Sequence, residues 1–399
     1  MNQYKVFYGE YTLKHWIDLI LKKDIILPPY QRSFVWSKER TSGLIKSLEE
    51  GFFVPPVIIA SLSMNNKWEN YILDGQQRLT SVLLRYLNIF PDEDKFKDTG
   101  NDALANDNDD EEEEDSDNIN ILNWTLRDIQ DAIQNREKEN ILKNLMKSGK
   151  YKEFDINTLN SEFFEKTCLP FAYIKPTQDS ENDQVRYYSS VFRRINTGAQ
   201  SLLPLEARAS MYWLNKDFKD FFQPVLFKQI KTNTKVTDFA RYMSILAEYD
   251  HLKRGNKNIS LLARGFRYKM ETYIENFIYH TIGDKPSTTF TEFKSIFPSN
   301  QYQDKINYLK EDIKYAGVPE KLQSIVDADY YLFGLIYFVL FENKRIDTNK
   351  VNNLDKDIKQ AISDAKEKEK RQPAALKYLT SRVKKSIEIY GRYIKDEHK

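Results

Sequence analysis

The chain has 399 residues, 60 of them Lys or Arg and 59 Asp or Glu, so its formal net charge is +1. A single cysteine, Cys168, excludes a disulfide framework and a cysteine-based zinc site. The longest apolar run, Tyr330–Phe341, is shorter than the roughly 20 residues of a membrane span, and it predicts a buried helix. The first residues lack the basic-then-apolar pattern of a signal peptide, so we expect a cytoplasmic protein without membrane association.

In chain order, the N-terminal part alternates between helical and strand patterns. Apolar residues on one face predict helices over Leu13–Leu21 and Lys38–Glu50. Strands are predicted over Val54–Leu62 and Tyr71–Leu73. The next amphipathic pattern predicts a helix that begins at about Gln76.

An acidic segment follows, and it makes the charge distribution uneven. Asn101–Asp117 contains ten acidic residues and no basic one. Because like charges repel and almost nothing in this segment can be buried, we expect a disordered insertion. Without it, 49 acidic and 60 basic residues remain, a net charge near +11, and Lys366–Lys399 is itself basic. This balance is compatible with a polyanionic partner such as DNA, and a solvated helical face is the alternative.

Beyond the acidic segment the pattern is mainly helical. Trp124–Lys147 predicts one polar helix or a pair of helices, and Cys168–Pro176 predicts a strand. Gln184–Ile195 is again amphipathic, and from Phe239 to Lys399 only helical periodicity is present. The sequence therefore predicts an α+β protein, with a small α/β unit followed by a larger helical part.

The strongest candidate site is YILDGQQR, at Tyr71–Arg78. A strand that ends in a turn before a helix leaves free N–H groups and the positive end of the helix dipole at one place, which suits a phosphate. Gly75 permits a close approach to the backbone, and Arg78 could bind a phosphate through two hydrogen bonds. Asp74 could cap the helix or hold Mg²⁺. The alternative is a capped turn with an outward arginine.

Two other turns carry polar groups that suit an anion. In PPYQRSFVW, Arg32 follows Gln31 among aromatic residues, where it could bind an anion or a base, or cover the rings with its stem. In FRRINTGAQSLLPLE, Arg194 precedes a turn at Asn196 and Gly198, which could equally be an ordinary loop between helices. There is no G-x-x-x-x-G-K-[ST] loop and no arrangement for nucleophilic catalysis.

Together, the segments LPPYQRSFVW, VPPVIIASL, YILDGQQRLTSV, FRRINTGAQSLLPLE and TDFARYMSIL resemble the N-terminal domain of the GmrSD restriction proteins, domain of unknown function 262. The resemblance covers Glu10–Phe90 and Cys168–Asp250. It implies a ParB/sulfiredoxin-like core, and nucleotide binding and hydrolysis that drive restriction of modified phage DNA. Full-length members often carry a His-rich nuclease half, which the Lys-rich C-terminal part of this chain does not match. A His-Asn-His nuclease would then be a separate partner chain, or absent.

The resemblance also implies the roles of individual residues. The catalytic positions would be Gln31, Arg32, Asp74 and Arg78, and Asp74 would also hold Mg²⁺. The nucleoside triphosphate, whose base the sequence does not indicate, would be bound by Asp74, Gly75, Gln76, Gln77, Arg78, Arg194, Asn196, Gly198 and Arg241.

These patterns predict four parts and one function. The parts are a ParB-like core (1–95), an acidic insertion (96–120), a helical continuation with a strand near 170–175 (121–250), and a helical domain with a basic tail (251–399). The predicted function is an NTP-hydrolysing component of a DNA restriction or phage-defence system. The alternatives are a non-catalytic DNA-binding or regulatory module that recruits a nuclease, and a ParB-like nuclease that acts by itself.

We expect deletion of Asn101–Asp117 to leave the melting temperature almost unchanged, because the segment has too few apolar residues to pack. The deletion should also tighten nonspecific DNA binding, since the remaining charge is near +11. Thermal denaturation and a DNA titration at fixed salt measure the two effects. A large loss of thermal stability would show that the segment packs on the fold.

Overall fold

A computed structural model describes the chain, which divides into two compact units. The first unit includes the described residues up to 214, and the second includes those from 215 onward. The described residues are 4–28, 33–64, 67–96, 124–132, 137–154, 159–177, 180, 183–184, 187–188, 191, 208, 211–212, 217–233, 235–264, 270–283, 285–298, 302–369 and 376–396.

In the described part of the first unit, a mixed sheet of four strands has the order β1-β6-β2-β3. The strands β1 and β6 are antiparallel, β6 and β2 are parallel, and β2 and β3 are antiparallel. A separate pair, β4 and β5, is antiparallel. The strands are β1 Tyr4–Thr12, β2 Val57–Met64, β3 Lys67–Asp74, β4 Ile89–Pro91, β5 Tyr151–Glu153 and β6 Cys168–Pro176.

Helices pack on one face of this sheet. Val57, Ile59 and Ile72 of the sheet belong to the same buried cluster as Trp16 and Leu83 from two of the helices. The helices are α1 Leu13–Leu21, α2 Lys38–Glu49, α3 Gln76–Leu87, α4 Glu93–Phe96, α5 Leu126–Ala132, α6 Lys138–Lys147 and α7 Ser161–Lys166. This core places the end of β3 and the beginning of α3 at one edge of the sheet.

Most predicted elements of this unit are confirmed. The helices α1, α2 and α3 begin where the apolar pattern places them, and Thr12 and Ser37 cap the first two. The strand Cys168–Pro176 has the predicted bounds, whereas β2 and β3 differ by several residues from Val54–Leu62 and Tyr71–Leu73.

The described part of the second unit is mainly helical, as predicted. Its helices are α8 Asp217–Phe222, α9 Val225–Gln229, α10 Phe239–Arg254, α11 Met270–Thr281, α12 Phe293–Ile296, α13 Tyr302–Tyr315, α14 Ile325–Ile336, α15 Leu354–Glu369 and α16 Leu376–Tyr390. Short strands are also present, at β7 Lys231–Thr232, β8 Lys235–Val236, β9 Lys321–Leu322, β10 Lys344–Ile346 and β11 Ile394–Asp396. The expectation of helical structure alone after Phe239 was therefore wrong, because strands of two or three residues are too short to show a period.

The apolar run that begins at Tyr330 forms the buried helix that the sequence predicts. It lies in α14 and continues into a π-helical turn at Tyr337–Phe341. Helix α16 packs so closely that the Ser386 hydroxyl accepts the Gly334 N–H and donates to the Tyr330 carbonyl, both at 2.8 Å. A side chain at Gly334 would lie 2.5 Å from the Ser386 carbonyl oxygen, so this crossing requires glycine.

A buried ion cluster also ties these helices together. The carboxylate of Asp329, in α14, forms an ion pair of 2.7 Å with Arg241 of α10 and one of 3.4 Å with Arg382 of α16. All three side chains are at most 1% exposed. Two buried guanidinium groups therefore share one carboxylate inside the second unit.

We expect Asp329→Ala to destabilise the second unit by about 3–5 kcal/mol, because it leaves two buried cations without this anion. The control is Asp364→Ala, which removes an exposed carboxylate of α15 and should change stability by less than about 0.5 kcal/mol. Urea denaturation measures both variants. An equal and small effect of the two substitutions would contradict the role assigned to Asp329.

Candidate functional site

The candidate site is the turn between β3 and α3. Gly75 connects the two elements with a left-handed backbone, at a φ of +93°. A Cβ atom added to Gly75 would lie 3.0 Å from the Cγ2 atom of Val57, in the neighbouring strand. Both the conformation and the close contact therefore require glycine at this position.

Gly75 also begins the helix without a side-chain cap. Gly75 has no side chain to accept a hydrogen bond from the first turn, and the first intrahelical bond runs from the Leu79 N–H to the Gly75 carbonyl. The predicted capping role of Asp74 is not observed, because Asp74 is the last residue of β3 and pairs with Arg78 instead. The positive end of the helix dipole therefore lies at this turn, where it would favour an anion.

The Gln77 side chain turns inward from this first helical turn. Its Nε2 atom donates to the Ser33 carbonyl, and its Oε1 atom accepts the Val35 N–H, both at 3.0 Å. The residue is only 7% exposed. One carboxamide therefore fixes the backbone of residues 33–35, directly after the predicted Gln31–Arg32 pair.

Arg78 fixes a second segment, on the chain that leads into β2. Its Nη1 atom donates to the Pro55 and Pro56 carbonyls, and its Nη2 atom lies 2.6 Å from the Asp74 carboxylate. The arginine side chain is 11% exposed, whereas that of Asp74 is 32% exposed. In this structure the charge of Arg78 is thus shared between an acidic neighbour and two backbone carbonyls, and the outward arginine of the alternative reading is not observed.

The chain on both sides of residues 29–32 is held beside this turn. On one side, Ile26 forms an isolated parallel bridge with Tyr71 of β3. On the other, the N–H of Phe34 donates to the Trp124 carbonyl at 2.8 Å, and the two rings are in edge contact.

Burial, with a hydrogen bond to Glu69, raises the pKa of Tyr71 above its ordinary value, so its hydroxyl remains a protonated donor.

Several predicted site residues lie outside the described residues, and their roles remain predictions. These are Gln31, Arg32, Arg194, Asn196 and Gly198. The described residues therefore do not test whether the three predicted turns converge on one cleft.

Arg241 lies in the second unit. Its guanidinium group forms the buried pair with Asp329, and the Tyr242 hydroxyl donates to the same carboxylate at 3.2 Å. These contacts give Arg241 a structural partner, and its role in nucleotide binding remains a prediction.

Sequence reasoning missed the inward direction of Gln77 and the two prolyl carbonyls that Arg78 holds. One signal was present, since Gln76, Gln77 and Arg78 lie in a helix in which six of the next nine residues are apolar. A polar side chain in a buried helix needs a partner, and backbone groups of neighbouring loops are the usual ones.

Comparison with known proteins identifies the class of protein. The GmrSD restriction endonuclease N-terminal domain family matches residues 13–213, about half of the chain. The chain belongs to this family, and the expected resemblance is confirmed. The family takes its name from a restriction endonuclease. The matched residues include the DGQQR and RINTG motifs, whereas Asp238 and Arg241 lie beyond them.

A curated relative adds a limited similarity. The chain is 32% identical to an uncharacterized protein of Methanocaldococcus jannaschii, over a stretch that makes up 17% of this chain. The matching part of this chain spans only 16% of the length of that relative. No solved structure matches the chain.

Among the described residues, no helix is both long and apolar enough to cross a lipid bilayer.

We expect Gly75→Ala to destabilise the first unit by about 1–3 kcal/mol, because alanine is strained in a left-handed turn and its Cβ would meet Val57. The matched control is Gly43→Ala in α2, where an added Cβ has no neighbour within 4 Å. The control should gain about 0.5–1 kcal/mol from its higher helix propensity. Denaturation curves measure the stability of the two variants. An unchanged stability of the Gly75 variant would contradict this account of the turn.

Proposed function

We propose that this chain binds a nucleoside triphosphate at the turn between β3 and α3 and hydrolyses it, as part of a DNA restriction system. The observation that carries the proposal is the left-handed Gly75, which begins α3 without a side-chain cap of its own and places the positive end of the helix dipole at the turn. A helix that begins in this way attracts phosphate through its N–H groups and its dipole. The resemblance of DGQQR to a nucleotide motif supports the same assignment.

The backbone, rather than the side chains, provides the phosphate contacts in this proposal. The amides of Gln76 and Gln77 lie in the first turn, while the side chains of Gln77 and Arg78 bind backbone groups of the fold. Arg32 would supply the positive side chain for the transferred phosphoryl group. It directly precedes Ser33, whose carbonyl accepts a hydrogen bond from Gln77. Phosphoryl transfer requires mainly positioning and charge neutralisation, which a fixed turn and a neighbouring arginine can provide.

The described residues do not form a protein-only metal site, since no group of three His, Cys, Asp or Glu side chains among them is arranged to hold a cation. The carboxylate of Asp74 also pairs with Arg78 at 2.6 Å. Mg²⁺ in nucleotide sites is commonly held by one or two carboxylates together with phosphate oxygens. The residues therefore fit a Mg²⁺ ion that arrives with the nucleotide, with Asp74 as its protein carboxylate. When bound, the ion would neutralise phosphate charge.

The proposal is tested with the purified chain, by calorimetric titration with ATP and with GTP in the presence of Mg²⁺. We expect Arg32→Ala to weaken nucleotide binding about ten- to hundredfold, since a charged hydrogen bond contributes about 1.5–3 kcal/mol. The control is Arg392→Ala, which removes a half-exposed arginine in the second unit and should leave binding unchanged.

Other outcomes separate the alternative functions. DNA binding without any binding or turnover of nucleotide would contradict the proposal and favour a non-catalytic module. DNA nicking that requires metal but no nucleotide would favour a nuclease that acts by itself.

A further inference from the structure

We infer that Gln77 is a positioning residue. Its carboxamide fixes residues 33–35 to the first turn of α3, directly after Gln31 and Arg32 in the chain, and we assign it no contact with the nucleotide. This inference rests on the proposed nucleotide site, and it assigns the second glutamine of DGQQR a role that differs from ligand binding.

The geometry of the two hydrogen bonds carries the inference. The Ser33 carbonyl and the Val35 N–H flank one residue, and the carboxamide binds both, as the N–H and the carbonyl of one residue in a parallel neighbouring strand would. Both bonds measure 3.0 Å, and the side chain is 7% exposed. The oxygen and the nitrogen of Gln77 therefore each hold a backbone group, which sets the orientation of the carboxamide.

The chemistry of this contact is specific to glutamine. A glutamate would still accept the Val35 N–H, but its second oxygen would face the Ser33 carbonyl oxygen, and two acceptors repel. A methionine of similar length would leave both backbone groups without this partner. An asparagine is shorter by one methylene group and could not span the same distance.

The position of the contact links it to the proposed site. Ser33 follows Arg32 directly, and consecutive Cα atoms are about 3.8 Å apart. A hydrogen bond that fixes Ser33 to the first turn of α3 thus sets the point from which Arg32 extends. Small displacements of a charged group are costly when that group must meet a phosphate.

A double-mutant cycle tests the inference, with ATP and GTP as probes. We expect Gln77→Glu to weaken nucleotide binding about tenfold in the otherwise unchanged chain, and less than about twofold when Arg32→Ala is already present. This non-additivity is expected only if Gln77 acts through the segment of Arg32. Equal losses in the two backgrounds would overturn the inference.

A second measurement does not depend on nucleotide. Hydrogen exchange of the Val35 amide and tryptic cleavage after Arg32 should both become about tenfold faster in Gln77→Glu and in Gln77→Met, because both substitutions disrupt the contact. The matched control is Gln184→Glu, which changes another buried carboxamide whose Oε1 accepts the Ser63 N–H, near the other end of β2. This control should leave exchange at Val35 and cleavage after Arg32 unchanged.

The two measurements separate this inference from the proposed function. If the unchanged chain binds neither nucleotide, the proposed function fails, and faster exchange and cleavage would still support the positioning of residues 33–35. Unchanged exchange and cleavage would overturn the role of Gln77 whether or not nucleotide binds.

Discussion

The first turn of α3 holds two neighbouring segments of the first unit by their backbones. Gln77 binds residues 33–35, and Arg78 binds the carbonyls of Pro55 and Pro56 and the carboxylate of Asp74. Because these side chains bind groups of the fold, the proposed phosphate contacts of the turn come from its backbone N–H groups. A site built in this way would recognise phosphate by dipoles that folding has already oriented, at no further cost in reorganisation. The left-handed Gly75 is what allows the helix to begin at that point.

The division of the molecule agrees with the extent of the family. The family matches residues 13–213, and the first compact unit ends at residue 214. The N-terminal domain of the restriction family is therefore a structural unit with its own sheet and core. The second unit is stabilised in another way, by the close packing of α14 on α16 and by the buried charges around Asp329. The predicted boundary at residue 250 falls within α10, which begins at Phe239.

The sequence predicted the elements whose own residues determine them. Helix α1 has five buried apolar residues at helical spacing and a threonine cap, so its bounds follow from local chemistry. Strand β1 was missed because most of its residues are exposed, and its apolar side chains do not alternate with polar ones. The strand–turn–helix at Gly75 was predictable from Asp-Gly followed by an amphipathic pattern. The direction of Gln77 was not, because the sequence does not show which backbone groups lie opposite a buried side chain.

The central claim is that the start of α3 binds phosphate, and a crystal structure of the chain with a non-hydrolysable nucleoside triphosphate tests it most directly. The account predicts phosphate oxygens within hydrogen-bond distance of the Gln76 and Gln77 amides, with Gln77 still bound to Ser33 and Val35. Nucleotide density at another place, with the first turn of α3 free of phosphate, would contradict it.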